Sequence, residues 1–479
     1  MEHRFDVVVA GCGVAGLSAA VTAAEQGLKV ALLERSSLED RGGQSRWTEA
    51  YLRMKSLDEV SDDFEMHLSE NAGPYNDPDL IGEMANGRDS WSHAARTLAV
   101  PDPELISGFA DQVAPTIQWL QGLGVKFDFL PTQFLTKTQP RLLPVGGGRA
   151  LVDALAARAE ALGVTFFYCT TARRLVLDEC GTVQGLLAHH PEQGGLRFMG
   201  KVVLASGGFE GNPEMLAKYL GPRSVYLRPV CKGGYFNKGE GIAMALEAGA
   251  GAAGEFGSYH AEPVDPRSGV SEPSVFIFPY GILVNKSGLR FTDEAPGTVD
   301  AYYERVTRRI YEQPEGIAYV VLDQRVKDIP NYRLAIRTDQ PAIEADSIAG
   351  LAMKLQMPAD ALQVTVDAYN AACGTGKGYD PLALDGVCTA GVQPPKTNWA
   401  LPVDRGPFMA YPIISSNVFT FGGLKVNTVG QVLDTDGNVM HNLYAAGETV
   451  GMYYTNYTGA TSVLKGLVFG RLAGRHLAG

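Results

Sequence analysis

Apolar and polar segments alternate near the N-terminus in the order strand, glycine turn, helix, strand and acid. An apolar run at Val7–Val9 leads into the hexapeptide GCGVAG at residues 11–16, and an alanine-rich segment follows. A second apolar run, Val30–Leu33, ends at Glu34. Short apolar runs bounded by glycines and separated by one helix are typical of neighbouring strands in a parallel sheet. The pattern therefore predicts one βαβ unit over residues 7–34.

The glycine spacing in this unit indicates a dinucleotide site. Gly11 permits a tight turn, Gly13 lets a pyrophosphate approach the backbone, and Gly16 permits close packing of helix on strand. The helix N-terminus supplies unpaired N–H groups, and Glu34 falls where a carboxylate accepts hydrogen bonds from ribose hydroxyls. Glycines at this spacing also occur in plain turns, but the ordered strand, helix and acid favour nucleotide binding.

The rest of the chain continues to alternate between strand and helix patterns. Helical patterns broken by Pro, Gly and Asp over residues 52–123 predict an insertion lying over the nucleotide unit. A glycine triplet at residues 146–148 opens an amphipathic helix, and Val164–Cys169 is predicted to be the next strand. Two strands joined by a turn are predicted over residues 174–187. The strand at residues 201–204 ends on small residues, which suit a close backbone approach to a ligand.

Composition and charge narrow the class of protein. A chain of 479 residues with 45% apolar residues and 56 glycines is typical of a globular enzyme with one large or two to three ordinary domains. The formal charge of −12 argues against nucleic acid or an anionic membrane as the main partner. Asp6 and three glycines interrupt the apolar N-terminus, which favours a cytoplasmic protein without an integral membrane segment. The six cysteines show no CxxC or Cys/His spacing, so neither a disulfide framework nor a metal site is predicted.

Several further motifs follow one another along the chain. They are GGQS at 42–45, LASGGF at 204–209, GEG at 239–241, ILVNKSGLRF at 282–291, FGG at 421–423, LYAAGE at 443–448 and GATS at 459–462. Together with GxGxxG and Glu34, these motifs resemble the fumarate reductase/succinate dehydrogenase flavoprotein superfamily. The nearest branches are the tricarballylate dehydrogenase-like and 3-ketosteroid 1-dehydrogenase-like FAD-dependent dehydrogenases.

The resemblance implies an α/β fold. A discontinuous, Rossmann-like FAD-binding domain of the GR2 type would cover residues 1–256 and 418–479, and an inserted α+β capping (substrate) domain would cover residues 257–417. FAD is then the expected cofactor. The residues expected to bind it are Gly11, Gly13, Val14, Ala15, Gly16, Glu34, Arg35, Ser36, Gly43, Gln44, Ser45, Gly148, Ala172, Ala205, Ser206, Gly207, Gly447, Glu448, Ser462 and Val463.

The way FAD is held also follows from the resemblance. Superfamily members that attach FAD covalently use a histidine in the loop after the first acid, whereas this chain has Gln44, Ser45, Arg46 and Trp47 there. FAD is therefore expected to be non-covalent. The chain has one dinucleotide fingerprint, so no separate nicotinamide site is expected.

Three positions that carry charged groups in fumarate reductases differ in this chain. In register with ILVNKSGLRF, the proton-donating arginine falls on Thr298, the substrate-binding histidine on Phe419 and the substrate-clamping arginine on Tyr457. Charged groups that would bind a C4 dicarboxylate are thus replaced by apolar, aromatic or neutral ones. Fumarate reduction is not expected.

Tyr457 lies in NYTGA at residues 456–460, which is similar to the Tyr-Pro-Gly-Ala-Gly element of ketosteroid dehydrogenases. In those enzymes the tyrosine hydroxyl and a nearby backbone N–H, here that of Gly459, hold the substrate carbonyl. A proton beside a ketone leaves readily only when preorganised donors meet the developing enolate oxygen. The alternative for Tyr457 is a packed core tyrosine.

The resemblance leaves the catalytic base open. Ketosteroid dehydrogenases have a second tyrosine where this chain has Thr298, and a threonine hydroxyl has too high a pKa to serve unaided. Tyr302 and Tyr303 lie about one helical turn further on and are candidate substitutes, with core or surface packing as the alternative. His260 lies near the place where fumarate reductases have a substrate-binding histidine, and its alternative is a structural role.

These features predict an FAD-dependent desaturase acting on a small, alicyclic ketone or oxo acid, for example an oxocyclohexanecarboxylate. A base takes the α-proton, the β-hydrogen leaves as hydride to flavin N5, and an α,β-unsaturated carbonyl forms. The alternatives are a tricarballylate-type polycarboxylate dehydrogenase, the reverse ene-reduction, or a flavin electron-transfer subunit. The expected partners are a small-molecule ketone or carboxylate substrate and an electron acceptor that is oxygen, a quinone or a redox protein.

Overall fold

Buried apolar runs pair side by side to form the centre of the larger of two main β-sheets. The computed structural model describes residues 1–70 and 76–479. Its strands are β1 Glu2–Ala10, β2 Val30–Leu33, β3 Phe127–Asp128, β4 Leu143–Pro144, β5 Thr165–Phe167, β6 Thr171–Leu177, β7 Val183–His190, β8 Gly194–Leu204, β9 Arg228–Pro229, β10 Ala252–Ala253, β11 Tyr259–Val264, β12 Ile282–Asn285, β13 Ile317–Leu322, β14 Ile343–Ala345, β15 Phe408–Thr420, β16 Gly423–Leu424, β17 Gln431–Leu433 and β18 Val439–Ala445.

Helices cover both sheets and form the insertion after the first βαβ unit. They are α1 Val14–Glu25, α2 Phe64–Ser69, α3 Pro78–Glu83, α4 His93–Thr97, α5 Pro103–Gly122, α6 Gly147–Ala161, α7 Pro213–Leu220, α8 Glu240–Glu247, α9 Val299–Tyr311, α10 Ile348–Leu355, α11 Ala359–Ala372 and α12 Ser462–His476. Elements therefore occur at each segment where strand or helix character was predicted outside the insertion.

The first sheet places four parallel strand ends in one row. Its order is β17-β18-β8-β1-β2-β5, and β6 and β7 extend it from β8. Ala10 at the end of β1 pairs with Leu33 of β2 and Leu204 of β8, and Leu204 pairs with Ala445 of β18. All four residues are buried. Because ligands of open α/β sheets bind beyond such carboxyl ends, the row defines where a site can form.

Helix α12, near the C-terminus, packs against α1, next to the first sheet. Glycines make this contact close, since a Cβ added at Gly470 would fall inside the contact distance of the Ala15 carbonyl oxygen, and one at Gly474 would lie 2.6 Å from the Ala19 oxygen. The final segment of the chain is thus an integral part of the FAD-side core.

The insertion after the first βαβ unit packs on the same helix. Phe109 of α5 contacts Phe64 of α2 at 5.1 Å between ring centroids and Phe469 of α12 at 5.7 Å. The predicted insertion over residues 52–123 thus folds onto the nucleotide-binding side of the molecule. Its residues 71–75 lie outside the described part of the chain.

The second sheet is antiparallel and lies in the inserted region. Its order is β11-β15-β13-β12, with β14 and β9 also paired to β15. Separate buried clusters fill its two faces, one including residues of α9 and the other residues of α10 and α11. We propose an FAD-binding domain of residues 1–256 and 418–479 and a capping domain of residues 257–417, and the membership of the second sheet supports this division. Strands β15 and β9 cross the boundary: β15 extends past residue 417, and β9 joins the second sheet from the FAD side.

Within the described residues, no helix has both the length and the apolar character needed to cross a bilayer. The cysteines are all free, and no three His, Cys, Asp or Glu side chains of the described part are grouped so that they could hold a metal ion.

Gly470→Ala is expected to destabilise the protein, because its methyl group overlaps the α1 backbone. Overpacking of this kind costs about 1–3 kcal/mol of the free energy of unfolding. Gly122→Ala is the control: nothing lies within 4 Å of its Cβ, so the change is expected to be neutral or slightly stabilising. Denaturant unfolding of both variants measures the difference, and equal stability would show that the close helix contact is absent.

Candidate functional site

A long cavity opens at the row of parallel strand ends. It encloses about 1290 Å³ of space free of protein atoms, part of it open to solvent. Most residues that were expected at FAD line it, namely Gly11, Gly13, Val14, Ala15, Glu34, Arg35, Gly43, Gln44, Ser45, Ala172, Ala205, Ser206, Gly207, Gly447, Glu448, Ser462 and Val463.

The other three predicted residues lie behind the residues that line the cavity. Gly16 faces the carbonyl oxygen of Gly11, where no Cβ fits. Ser36 donates its N–H to Glu34 Oε1 at 2.8 Å. Gly148 lies against Ser45 and donates its N–H to the Thr48 carbonyl oxygen at 2.8 Å. They support the lining residues without reaching the cavity surface.

The glycine turn leaves the N-terminus of α1 open to the cavity. Gly11 has φ of +109° and lies against the backbone of Ala205, so only glycine fits there. Gly13 begins the helix and offers no side-chain cap, and the N–H of Val14 points to Ser45 Oγ at 3.3 Å. The N-cap residue makes no side-chain cap, so the other N–H groups of this first turn are suited to a phosphate.

Glu34 has a second task besides the one predicted for it. Its Oε2 accepts the N–H of Cys12 at 2.9 Å and its Oε1 accepts the N–H of Ser36 at 2.8 Å. Burial raises the pKa of Glu34, and the N–H donors oppose that rise. The carboxylate thus fixes the glycine turn as well as lining the cavity.

A pair of acids lies at another part of the cavity: Glu448, which is partly buried and lines it, and Glu210, which is buried behind it. Glu448 Oε1 accepts the N–H of Thr420 at 2.7 Å, and Glu210 Oε1 accepts Asn237 Nδ2 at 2.6 Å. Burial raises the pKa of Glu448 and Glu210, and for Glu210 the negative charge of its neighbour adds to the effect. Lys465 contributes nearby charge, and burial lowers its pKa to about 7.

Sequence reasoning missed Glu210, Asn237, Glu240 and Lys465, all of which are near or line this cavity. A usable signal existed for three of them. Glu210 directly follows the LASGGF motif, Glu240 lies within the GEG motif, and Lys465 is a cation in the otherwise apolar first half of α12.

The cavity fits FAD on its own geometry. An open helix N-terminus lies at the glycine turn, glycines lie where a Cβ would intrude, and Ser206 Oγ is buried with no hydrogen-bond partner among the described residues. Buried polar groups without a partner are rare, and those beside a cavity indicate where a polar ligand binds.

Four aromatic side chains form a cluster that meets the cavity through Phe419. We call His260, Tyr303, Phe419 and Tyr457 the aromatic cluster. The His260 ring lies 4.4 Å from that of Tyr457 and 5.2 Å from that of Phe419, between centroids. His260 Nε2 and the Tyr303 hydroxyl are 2.7 Å apart and share a hydrogen bond. The cluster brings together candidates from three distant segments of the sequence.

The hydrogen-bonded pair in this cluster is neutral. Burial, aided by the charge of Arg308, lowers the pKa of His260 to about 3. Burial also raises the pKa of Tyr303 well above its usual value. His260 Nδ1 has no partner among the described residues. One proton is therefore shared between two uncharged groups in a water-poor environment.

The Tyr457 hydroxyl lies at the N-terminus of α12. Its oxygen accepts the N–H groups of Thr461 at 3.0 Å and Ser462 at 3.1 Å, and its hydrogen is donated to Ser462 Oγ at 3.1 Å. Ser462 lines the cavity. The hydroxyl therefore lies directly behind the cavity lining, and its one hydrogen is donated to a serine that lines the cavity.

The remaining candidates lie outside the aromatic cluster. Tyr302 packs its ring against Gly297, and the described ring contacts do not include it. Thr298 precedes α9 and donates its hydroxyl to Asp300 at 2.7 Å, which occupies it structurally. Gly459 accepts a hydrogen bond from Arg53 through its carbonyl oxygen at 3.2 Å. The geometry thus singles out Tyr303 rather than Tyr302.

Sequence comparison assigns the chain to a family. Residues 6–464 match the profile of the FAD binding domain family, FAD_binding_2. The chain belongs to this family. Its α/β fold with a capping domain is that of the fumarate reductase/succinate dehydrogenase flavoprotein superfamily, its cofactor is FAD, and it is an FAD-dependent oxidoreductase acting on CH–CH groups.

Curated relatives of the FAD binding domain family span the full chain. Vinyl phenol reductase of Lactiplantibacillus plantarum is 28% identical over 100% of this chain and 97% of its own length. The 4-oxocyclohexanecarboxylate 2-dehydrogenase of Sinomonas cyclohexanicum is 28% identical over 100% of this chain and 93% of its own. The chain spans only half of another relative, the NADH:acrylate oxidoreductase of Vibrio harveyi, at 27% identity over 99% of this chain and 50% of that protein.

A solved structure of similar fold is 3-ketosteroid-Δ4-(5α)-dehydrogenase from Rhodococcus jostii RHA1 in complex with 4-androstene-3,17-dione. It shares 25% identity, covers 100% of this chain and 97% of its own, and superposes with a TM-score of 0.68. This similarity agrees with the α/β fold described above and with the FAD binding domain family.

Gly13→Ala is expected to lower the FAD content of the purified protein, because the methyl group enters the space in front of the helix N-terminus. Within the protein its Cβ meets nothing nearer than Ser45 Oγ at 3.3 Å, so the free energy of unfolding of the apoprotein should change by less than about 1 kcal/mol.

Gly16→Ala is the matched comparison. Its Cβ overlaps the Gly11 backbone, so it is expected to cost about 1–3 kcal/mol of unfolding free energy. The ratio of flavin to protein absorbance and thermal unfolding of the apoprotein measure both effects. Full FAD content in Gly13→Ala would contradict a pyrophosphate at this turn.

Proposed function

We propose that the chain is an FAD-dependent desaturase of a small, alicyclic ketone or oxo acid. The hydrogen-bonded pair of His260 and Tyr303, set beside the FAD cavity, carries this proposal. FAD, when bound, supplies the acceptor of the hydride from the β-carbon. The protein side chains have to remove the α-proton and stabilise the charge that develops on the carbonyl oxygen.

Tyr303 and His260 are suited to the proton transfer. The Tyr303 oxygen can take the α-proton while its own hydrogen passes to His260 Nε2, so that no tyrosinate has to exist in the buried site. His260 then carries a positive charge, which the negative charge of the transferred hydride balances. The α C–H bond breaks, its electrons form the new C=C bond, and the β-hydrogen departs with its electron pair. The surrounding aromatic rings keep water away from the exchange.

Tyr457 is suited to donate a hydrogen bond to the substrate carbonyl oxygen. Its oxygen accepts two backbone N–H groups at the positive end of α12, which polarises its O–H bond. A substrate oxygen that replaces Ser462 Oγ as the acceptor would receive this hydrogen. The two phenols flank the same imidazole, so the oxygen and the α-carbon of one small ketone can meet them together.

The names of two relatives describe reactions related to the proposed one. The name of the Sinomonas protein describes dehydrogenation of an oxocyclohexanecarboxylate, and that of the Lactiplantibacillus protein describes reduction of a vinyl group. A neutral Tyr303 serves the reverse reaction as a proton donor to carbon. Ene-reduction is therefore the second candidate, and both reactions use the same residues.

Anaerobic titration of the FAD-loaded protein distinguishes the candidates. A saturated cyclic ketone or oxo acid that is oxidised should bleach the visible absorbance of the flavin. The unsaturated compound should instead restore that absorbance in protein reduced beforehand with dithionite. Protein that responds to neither, yet exchanges electrons with a redox dye, would be an electron-transfer subunit.

Tyr303→Phe is expected to slow flavin reduction by about 10²–10⁴-fold, the usual range for loss of a general acid or base, without loss of FAD. Tyr302→Phe, the neighbouring tyrosine outside the aromatic cluster, is the control and should react at the wild-type rate. Stopped-flow measurement under anaerobic conditions gives both rates, and equal rates for the two variants would remove Tyr303 from the mechanism.

A further inference from the structure

We infer that Arg141 binds a carboxylate of the substrate, so that the substrate is a monocarboxylate that also carries the reacting carbonyl. This inference rests on the proposed function and narrows its substrate class to oxo acids. Arg141 is not part of any motif discussed above. It precedes β4, and its side chain is 5% exposed.

The Arg141 guanidinium has an unused donor. Nη1 is buried, and none of the described residues accepts a hydrogen bond from it. Burial is also the main cause that lowers the pKa of Arg141. An arginine remains charged in proteins under all ordinary conditions, so this side chain places a positive charge and free N–H groups in the interior.

Asp300, the acid that contacts Arg141, is mostly committed elsewhere. Its oxygens accept the N–H of Thr138 at 2.9 and 3.1 Å, the hydroxyl of Thr138 at 3.1 Å and the hydroxyl of Thr298 at 2.7 Å. The contact from Arg141 Nη2 is 3.4 Å long. Asp300 thus orients Arg141 through Nη2 and leaves Nη1 for another acceptor.

The neighbouring Arg53, in contrast, has hydrogen-bond acceptors for Nε and for both terminal nitrogens. Its Nη2 lies 2.6 Å from Asp63 Oδ2, its Nε donates to Asp63 Oδ1 at 3.2 Å, and its Nη1 donates to the Gly459 carbonyl oxygen at 3.2 Å. Arg53 therefore has a two-pronged pair with a carboxylate, which is the geometry that guanidinium groups favour. Among the described residues Arg141 has no such two-pronged partner, since its contact with Asp300 is a single one of 3.4 Å.

Arg141 lies next to the reacting groups. The Tyr303 and Tyr457 phenols both interact electrostatically with its guanidinium. A Cβ added at Gly459 would lie 3.7 Å from Arg141 Nη2, so the guanidinium packs beside the NYTGA segment that carries Tyr457. A carboxylate bound to Nη1 would place the rest of a small ring within reach of the aromatic cluster.

The other groups around the cluster provide for one carboxylate and not for several. His260 is neutral, because burial lowers its pKa to about 3. Arg308 is paired with Glu304 at 3.0 Å and donates to the Tyr259 carbonyl oxygen at 2.6 Å, both through Nη2, and its buried Nε has no partner among the described residues. A second carboxylate in the aromatic cluster would be buried beside a cation that Glu304 already neutralises, which is unfavourable. The arrangement thus favours an oxo monocarboxylate over a tricarballylate-type polycarboxylate.

Binding of an unreactive carboxylate tests the inference independently of turnover. Cyclohexanecarboxylate should perturb the flavin spectrum of the wild-type holoenzyme, and Arg141→Gln should raise its dissociation constant by about 30-fold or more, as expected when one partner of a buried charge pair is removed. Cyclohexanecarboxamide, which has the same shape without the charge, should bind both proteins with similar affinity. Arg149→Gln, at an exposed arginine of α6, should leave both constants unchanged.

Arg141→Lys covers the case in which Arg141→Gln does not retain FAD. It keeps the charge but loses the planar fork, so a smaller rise in the dissociation constant is expected. If the carboxylate fails to bind wild type, or if both substitutions weaken the carboxylate and the amide equally, Arg141 has only a structural role.

Turnover separates failure of the inference from failure of the proposed function. With 4-oxocyclohexanecarboxylate and its methyl ester as substrates, Arg141→Gln should raise KM for the acid and leave the ester unaffected. If carboxylate binding depends on Arg141 but neither compound bleaches the flavin, the carboxylate site at Arg141 is supported and the proposed desaturase function is wrong. If both compounds bleach the flavin and Arg141→Gln changes neither reaction, the desaturase function is supported and the carboxylate site at Arg141 is wrong.

Discussion

The alignment of four parallel strand ends is the constraint on which the site depends. Ala10, Leu33, Leu204 and Ala445 end in one row, and the chain has to leave each of them within a few residues. Side chains at these exits would fill the space above the sheet, so glycine and alanine follow three of the four strands. The space that remains is the FAD cavity, with the backbone of the turns as its floor. Main-chain groups of these turns therefore face the cavity together with polar side chains such as Ser45 and Asn237, which explains why a short glycine motif was informative.

Local features of the sequence were enough to predict this part of the molecule. The turn at residues 11–16, the acid Glu34 and the final helix each depend on residues close together in the chain, and the structure has them where they were expected. Arg141 and Asn237 could not be found in the same way. Their positions depend on contacts between segments more than a hundred residues apart, for which the sequence carries no periodic signal.

The choice between adjacent tyrosines shows the same limit at a finer scale. Tyr302 and Tyr303 differ by one step on α9, about 100° around the helix axis, and both fit an amphipathic pattern. Burial of one face of α9 against β11 decides which hydroxyl meets His260. The hydroxyl of Tyr457 was expected to face a substrate, and its commitment to the N-terminus of α12 depends on a turn whose shape the residue types alone do not specify.

Strand β15 joins regions that the domain division separates. It runs without interruption from Phe408, deep in the cap, to Phe419 and Thr420 beside the cavity, where the Thr420 N–H binds Glu448. Its register against β11 shifts at Val418, but the pairing continues through Phe419 and Thr420, so residue 417 lies within a paired strand and not in a loose linker. A displacement of the cap sheet would therefore be passed along β15 to the backbone that holds Glu448. In this way the strand couples the position of the cap sheet to that of an acid lining the cavity.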